Sequence, residues 1–240
     1  MIPADLQTIW VYLAAQPLLG LTLTLIAYLI GQYLFTKGRQ SPFLNPVLVA
    51  VVILILLLKG TGTGYQTYFQ GAQFVHFLLG PATVALALPL YRQLHALKRS
   101  MLAVAAALLT GSVIASLSAM AIAQSLGATP ETVLSMAPKS VTTPIAMGVA
   151  EQIGGLPSLT AALVLITGIS GAVIGPWILD RLKIRDESAR GLAMGTASHG
   201  IGTARALLES EKAGAFAGLA MGLNGVITAI LVPILAGWFK

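Results

Sequence analysis

The chain contains four uncharged apolar runs, Leu18–Thr36, Met101–Gln124, Leu156–Leu179 and Ala213–Phe239. A membrane-crossing helix needs roughly 20 mostly apolar residues. Within lipid, backbone N–H and C=O groups have no water to pair with, so such runs must close their hydrogen bonds internally as helices. Composition points the same way: 56% of residues are hydrophobic and 9% are charged, against about a quarter charged in a soluble domain. Mean hydropathy is +0.85. The expected class is an all-α polytopic membrane protein, with about 7–8 membrane segments once shorter and interrupted runs are included. It is read as one integral membrane domain over residues 1–240.

Cysteine is absent, which excludes disulfides, thiolate catalysis and Cys-based metal sites. His76, His95 and His199 are too scattered to suggest a metal cluster. The net charge of +6 falls mostly in short loops between apolar runs, a topological signal rather than one for nucleic acid. Asp5 is the only charge before Lys37, so no basic signal-peptide region is visible and the first run is read as a retained span.

Lys37 and Arg39 follow the first run. Pro46–Leu58 is a shorter span, followed by a glycine-rich polar stretch without charges. Phe74–Tyr91 is long enough to cross, but Gly80-Pro81 interrupts it, and Arg92–Arg99 follows. Placing basic loops on one side requires residues 130–155 to enter and leave on the other, as a re-entrant hairpin. "PATV" at Pro81–Val84 and "PKSV" at Pro138–Val141 each lie at a break, which suggests an internal repeat with halves of about 18–99 and 101–240.

The breaks carry the candidate chemistry. Gly80-Pro81 and Ala137-Pro138 are each expected to start a half-helix, since proline breaks the preceding turn but suits a first helical position. A half-helix N-terminus presents unpaired N–H groups and partial positive charge to an anion. Beside it stand Lys139, Ser140, Thr142, Thr143 and Pro144, with Pro81 and Thr83 at the other break. Glu151 lies near the end of the half-helix and is a candidate for coupling, or for loop water. A second constellation, "GTASHGIGTARALLE", places His199 and Thr203 one helical step apart, with Ser198, Gly200, Gly202 and Arg205 nearby. His199 could relay a proton and Arg205 could grip a carboxylate. The plain alternative is that the glycines serve close packing and that Lys139 and Arg205 snorkel. His76 and Asn224 are weaker candidates, because a single polar residue in a membrane helix is more often interhelical glue. No catalytic residue, metal site or cofactor is expected.

"FLLGPATVALALPLY", "PKSVTTPIAM" and "SHGIGTARAL" together resemble the signature segments of the LrgB/CidB family, in order and spacing, across nearly the whole chain. The resemblance implies a bacterial inner-membrane protein acting with a smaller LrgA/CidA-type membrane partner. It implies antiholin-like control of murein hydrolases. It also implies kinship with the plastid glycolate/glycerate translocator and with uptake of pyruvate or small hydroxy acids. The expectation is therefore a secondary transporter of small monocarboxylates, moving by alternating access of a mobile, elevator-like bundle. A homodimer is expected on the same footing. The alternative is a lysis regulator with no substrate of its own. An intramembrane enzyme ranks last, since His199 lacks a nucleophile partner.

Overall fold

A computed structural model describes residues 17–38, 41, 44–78, 81, 84–85 and 87–239, which are all-helical with turns. Contacts divide the chain into two compact units, residues 1–85 and 86–240. Among the described residues, four helices are long and apolar enough to cross a membrane: Leu18–Lys37, Lys98–Ser125, Pro157–Arg181 and Glu211–Ala236.

The first unit holds α1 (Pro17–Lys37), α2 (Pro46–Thr61) and α3 (Tyr65–Phe77). Asn45 caps α2 through its side chain, accepting from the N–H groups of Val47 and Leu48, with Pro46 in the first turn. The glycine-rich polar stretch is helical from Tyr65 onward. Its polar groups find partners on α1, where the Thr24 and Tyr68 hydroxyls bond at 2.7 Å. Gly20 admits the α3 backbone, because a Cβ there would lie 3.0 Å from the Ala72 nitrogen.

The second unit holds α4 (Ala87–Arg92), α5 (Leu94–Ser125), α6 (Pro130–Met136), α7 (Thr143–Ile153), α8 (Pro157–Arg181), α9 (Glu187–Glu209) and α10 (Glu211–Ala236). α5 and α10 pack in parallel: Val104 and Leu108 meet Phe216 and Ala220 near one end, and Met120 and Ala123 meet Val232 and Leu235 near the other. Ile114, Ile166, Val226 and Ile230 stay exposed, giving the bundle an apolar exterior suited to lipid. Trp177 and Trp238 are exposed near opposite ends of it, where indole rings favour the membrane interface.

Residues 130–155 fold back on themselves. The Leu156 N–H donates to Ser135 Oγ at 2.7 Å, and Thr160 Oγ1 donates to the Ser135 carbonyl at 3.0 Å. The end of α7 therefore returns beside the end of α6. The half-helix after the break starts at Thr143, with Pro144 in its first turn, and not at Pro138. Pro138 instead lies in the connecting turn, its carbonyl accepting from the Val141 N–H at 3.3 Å. "PKSV" is thus a turn, and Pro138 does not play the helix-starting part that the comparison with "PATV" assumed.

α9 is continuous in sequence but not in direction. Ser198 (φ −133°, ψ 16°) and His199 (φ 41°, ψ −132°) are non-helical. Arg190 and Glu209 would lie about 28 Å apart in a straight helix, yet Arg190 Nε reaches Glu209 Oε2 at 2.8 Å. The two arms, 187–197 and 200–209, form a tight hairpin, each about 15 Å long and so about half a bilayer core. Gly202 is needed at the fold, since a Cβ there would strike the Met194 carbonyl. His199 occupies backbone space normally left to glycine, at a cost of about 1–3 kcal/mol.

Arg190 closes the base of this hairpin. It binds Glu209 bidentately, at 2.8 and 3.2 Å, and also donates to Asp180 at 2.7 Å and to the Ile184 carbonyl at 3.1 Å. The Glu209 hydrogen bond, with help from Asp180, raises the guanidinium pKa above its already high value, so the clasp stays charged. Arg92 meets Glu211 at the same end of α10, so both basic groups of this unit lie at one end, as the charge pattern requires. The α6–α7 hairpin packs on Val232, Leu235 and Ala236, at the other end of α10. The two hairpins therefore enter the bundle from opposite ends.

Close packing of the second hairpin on α10 depends on Gly191 and Gly195. A Cβ at Gly195 would lie 2.8 Å from Ala217 backbone atoms, which cannot step aside. Gly195→Val is expected to lower the thermal unfolding midpoint in detergent by several degrees or prevent folding. Gly222→Ala, which meets open space, should leave the midpoint within a degree or two.

Candidate functional site

The two hairpin tips converge at Asn224, 1% exposed and near the middle of α10. Its amide nitrogen donates to the Thr196 carbonyl at 3.0 Å and reaches the Ser140 carbonyl at 3.5 Å. Its side-chain oxygen accepts from the Ser112 hydroxyl on α5. Thr196 lies in the last turn of the first arm of α9, where helix carbonyls lose their intrahelical partners. Ser140 lies in the turn between α6 and α7. One side chain thus ties both breaks to two spanning helices.

α8 supplies the other wall. A ring nitrogen of His199, Nε2, bonds the Val164 carbonyl at 3.0 Å. Val164 also packs on Val141 and Ala146 of the first hairpin. Gly168, Gly171 and Gly175 form one face of α8. A Cβ at Gly168 would press on His199 at 2.7 Å, one at Gly171 would strike Ser198, and one at Gly175 would lie 2.6 Å from the Met194 sulfur. Small residues on α8 therefore make the socket that receives the second tip.

Lys139, half-buried, points its ammonium at Ser140 Oγ, 3.3 Å away. Among the described residues it has no carboxylate within ion-pair distance. Thr142 begins α7 without capping it through its side chain. Thr142 and Thr143 are half-buried and Pro144 is exposed. The first N–H groups of α7 and of the second arm of α9 belong to these tips, bringing two partial positive ends beside one full positive charge. Ser198 is the one buried side-chain oxygen or nitrogen, among the described residues, with no hydrogen-bond partner.

The second constellation divides. His199, Gly200, Gly202 and Thr203 gather at the tip, with Thr203 Oγ1 donating to the His199 carbonyl at 2.9 Å. Arg205 lies about 9 Å further along the helix, and its guanidinium faces Glu209 at 3.8 Å within the charged clasp. Glu151 is exposed near the end of α7, beyond which Gly154 adopts the left-handed conformation. Pro81 is exposed and belongs to the first unit, while Thr83 lies outside the described residues. Sequence reasoning ranked Asn224 low and missed Ser112, the Val164 carbonyl and the α8 glycines. The spacing of Gly168, Gly171 and Gly175 along one helical face was the available signal.

Comparison with known proteins gives a consistent picture. A family model described as the LrgB-like family matches residues 24–238. "Uncharacterized protein YxaC" of Bacillus subtilis (strain 168) is 36% identical over 217 residues, covering 90% of this chain and 94% of the relative. "Antiholin-like protein LrgB" of Bacillus cereus (strain B4264) is 33% identical over 218 residues, covering 91% and 95%. The protein of the same name in Bacillus anthracis (strain CDC 684 / NRRL 3495) is equally similar. No solved structure matches the chain.

If the amide of Asn224 holds the tips, its donor side is what matters. Asn224→Asp, which keeps an acceptor for Ser112 but loses both donated bonds, should cost about 2–4 kcal/mol, as much as Asn224→Leu. Denaturant or thermal unfolding in detergent checks this; an Asp variant as stable as the parent would contradict it.

Proposed function

The chain belongs to the LrgB-like family, and on that premise we propose that it is a multi-pass secondary transporter of small monocarboxylates such as glycolate, glycerate or pyruvate. The observation that carries this reading is the meeting of two hairpin tips from opposite ends of the bundle, beside Lys139, which has no acidic partner among the described residues. Broken helices whose N-termini point at a midplane anion are a recurring transporter design. In this reading Lys139 and the first N–H groups of α7 bind the carboxylate. Ser140, Thr142 and Thr143 bond its hydroxyl or keto oxygen. His199 is the candidate for proton coupling, and Arg205 serves the carboxylate only if its clasp with Glu209 opens. The tips exchange access by moving against α5 and α10. In this reading the protein works in the bacterial inner membrane, as a homodimer, with an LrgA/CidA-type partner and without catalytic activity.

A second reading takes the relatives' name at its word: an antiholin-like regulator of murein hydrolases, acting through its partner. The name "Antiholin-like protein LrgB" of the Bacillus relatives favours it. It does not require an unpaired cation at the tips.

Uptake of labelled glycolate, glycerate and pyruvate into proteoliposomes separates the two. The parent should saturate, and Lys139→Ala should lower uptake at least tenfold while Lys139→Arg retains part of it. Dye leakage with no saturable uptake, or parental rates in Lys139→Ala, would count for the regulator.

A further inference from the structure

A groove of about 520 Å³ runs between α5 and the first arm of α9. Its mouth lies at the basic end of the second unit, among Ser100, Asp186 and Ser188. Asp186 caps α9 there and faces Lys212 at 3.9 Å. Ala107 and Ala193 line its length, and Gly111, Ala115, Thr196 and Ala197 line the end toward the hairpin tip. Thr196 is the residue whose carbonyl Asn224 holds. Ser198, with its buried and unpartnered hydroxyl, follows Ala197 directly.

The groove face of α5 differs from its other exposed positions. Leu102, Leu109 and Ile114 are bulky and exposed, as lipid contact favours, whereas the groove side carries Ala103, Ala107 and Gly111. Small side chains leave width, and the volume admits on the order of ten waters, far more than a two- or three-carbon acid displaces. Polar groups stand at both ends of the groove.

We infer that this groove is an aqueous route, open to the cytoplasmic side, by which a small carboxylate reaches the tip of the second hairpin. It deepens the transport reading and rests on it for the identity of the solute; the existence and sidedness of the route do not. Arg92, Arg190 and Lys212 stand at this end of the second unit and assign it to the cytoplasm.

The chain has no cysteine, so single-cysteine variants test this without altering a background. Ala189→Cys, Ala193→Cys and Ala197→Cys should react with a membrane-impermeant maleimide in inside-out vesicles and at least tenfold more slowly in right-side-out vesicles. Adding Ala107→Phe should slow labelling at position 197 at least tenfold and leave position 189 unchanged, which separates a blocked route from a misfolded protein. The route is overturned if Ala197→Cys reacts only with a lipid-soluble reagent, from neither side, or from the outer side alone. Labelling that proceeds as expected but is indifferent to millimolar glycolate, glycerate and pyruvate keeps the route and counts against the monocarboxylate reading.

Discussion

The amide of Asn224 is the interaction on which the second unit turns. A break in a helix strands carbonyls and N–H groups, and in an apolar bundle each stranded group costs about 1–3 kcal/mol unless it finds a partner. Here one buried side chain serves carbonyls from two separate breaks, Ser140 and Thr196, and is itself oriented by Ser112. His199 repeats the device on the opposite wall by bonding the Val164 carbonyl. The strain of a positive φ at His199 is offset by these contacts, and the two tips are held at one level of the bundle.

That arrangement has an electrostatic consequence. Hairpins entering from opposite ends bring half-helix N-termini toward the same midpoint, and helix dipoles concentrate positive potential there. Lys139 adds a full charge, with Ser140 rather than a carboxylate as its neighbour. At the base of the second hairpin the opposite logic holds. Arg190, Glu209, Asp180 and Arg205 neutralise one another and fix the base. Among its described residues, the second unit thus has a mutually paired charge cluster at one end and an under-compensated positive charge near its middle.

Much of this was legible before any coordinates. The uncharged runs announced the long helices, because apolar backbone in lipid has few other options. Pro138 and Pro144 announced an interruption between two apolar runs. Basic residues at Arg92 and Arg190 announced a common end, and the structure joins Arg92 to the start of α10 and Arg190 to the end of α9, two residues before it. Less legible was which residue makes each turn. Pro138 looked like the start of a half-helix, but Pro144 takes that place, since two prolines compete and only packing decides between them. The break in α9 falls on Ser198 and His199 rather than on a glycine, which no propensity would select.

The sequence by itself determined the helical class, the apolar exterior, the ends of the long helices and the presence of cations and hydroxyls at the interruptions, because these follow from local hydrogen bonding and from transfer into lipid. Only the tertiary structure decided that α9 doubles back, that two hairpins meet from opposite ends, that Arg205 turns to Glu209 while Lys139 turns to Ser140, and that Asn224 stands between the tips. Those outcomes depend on which buried polar group is nearest to which stranded carbonyl across 28 and 84 residues of chain, and one-dimensional spacing carries no record of that distance.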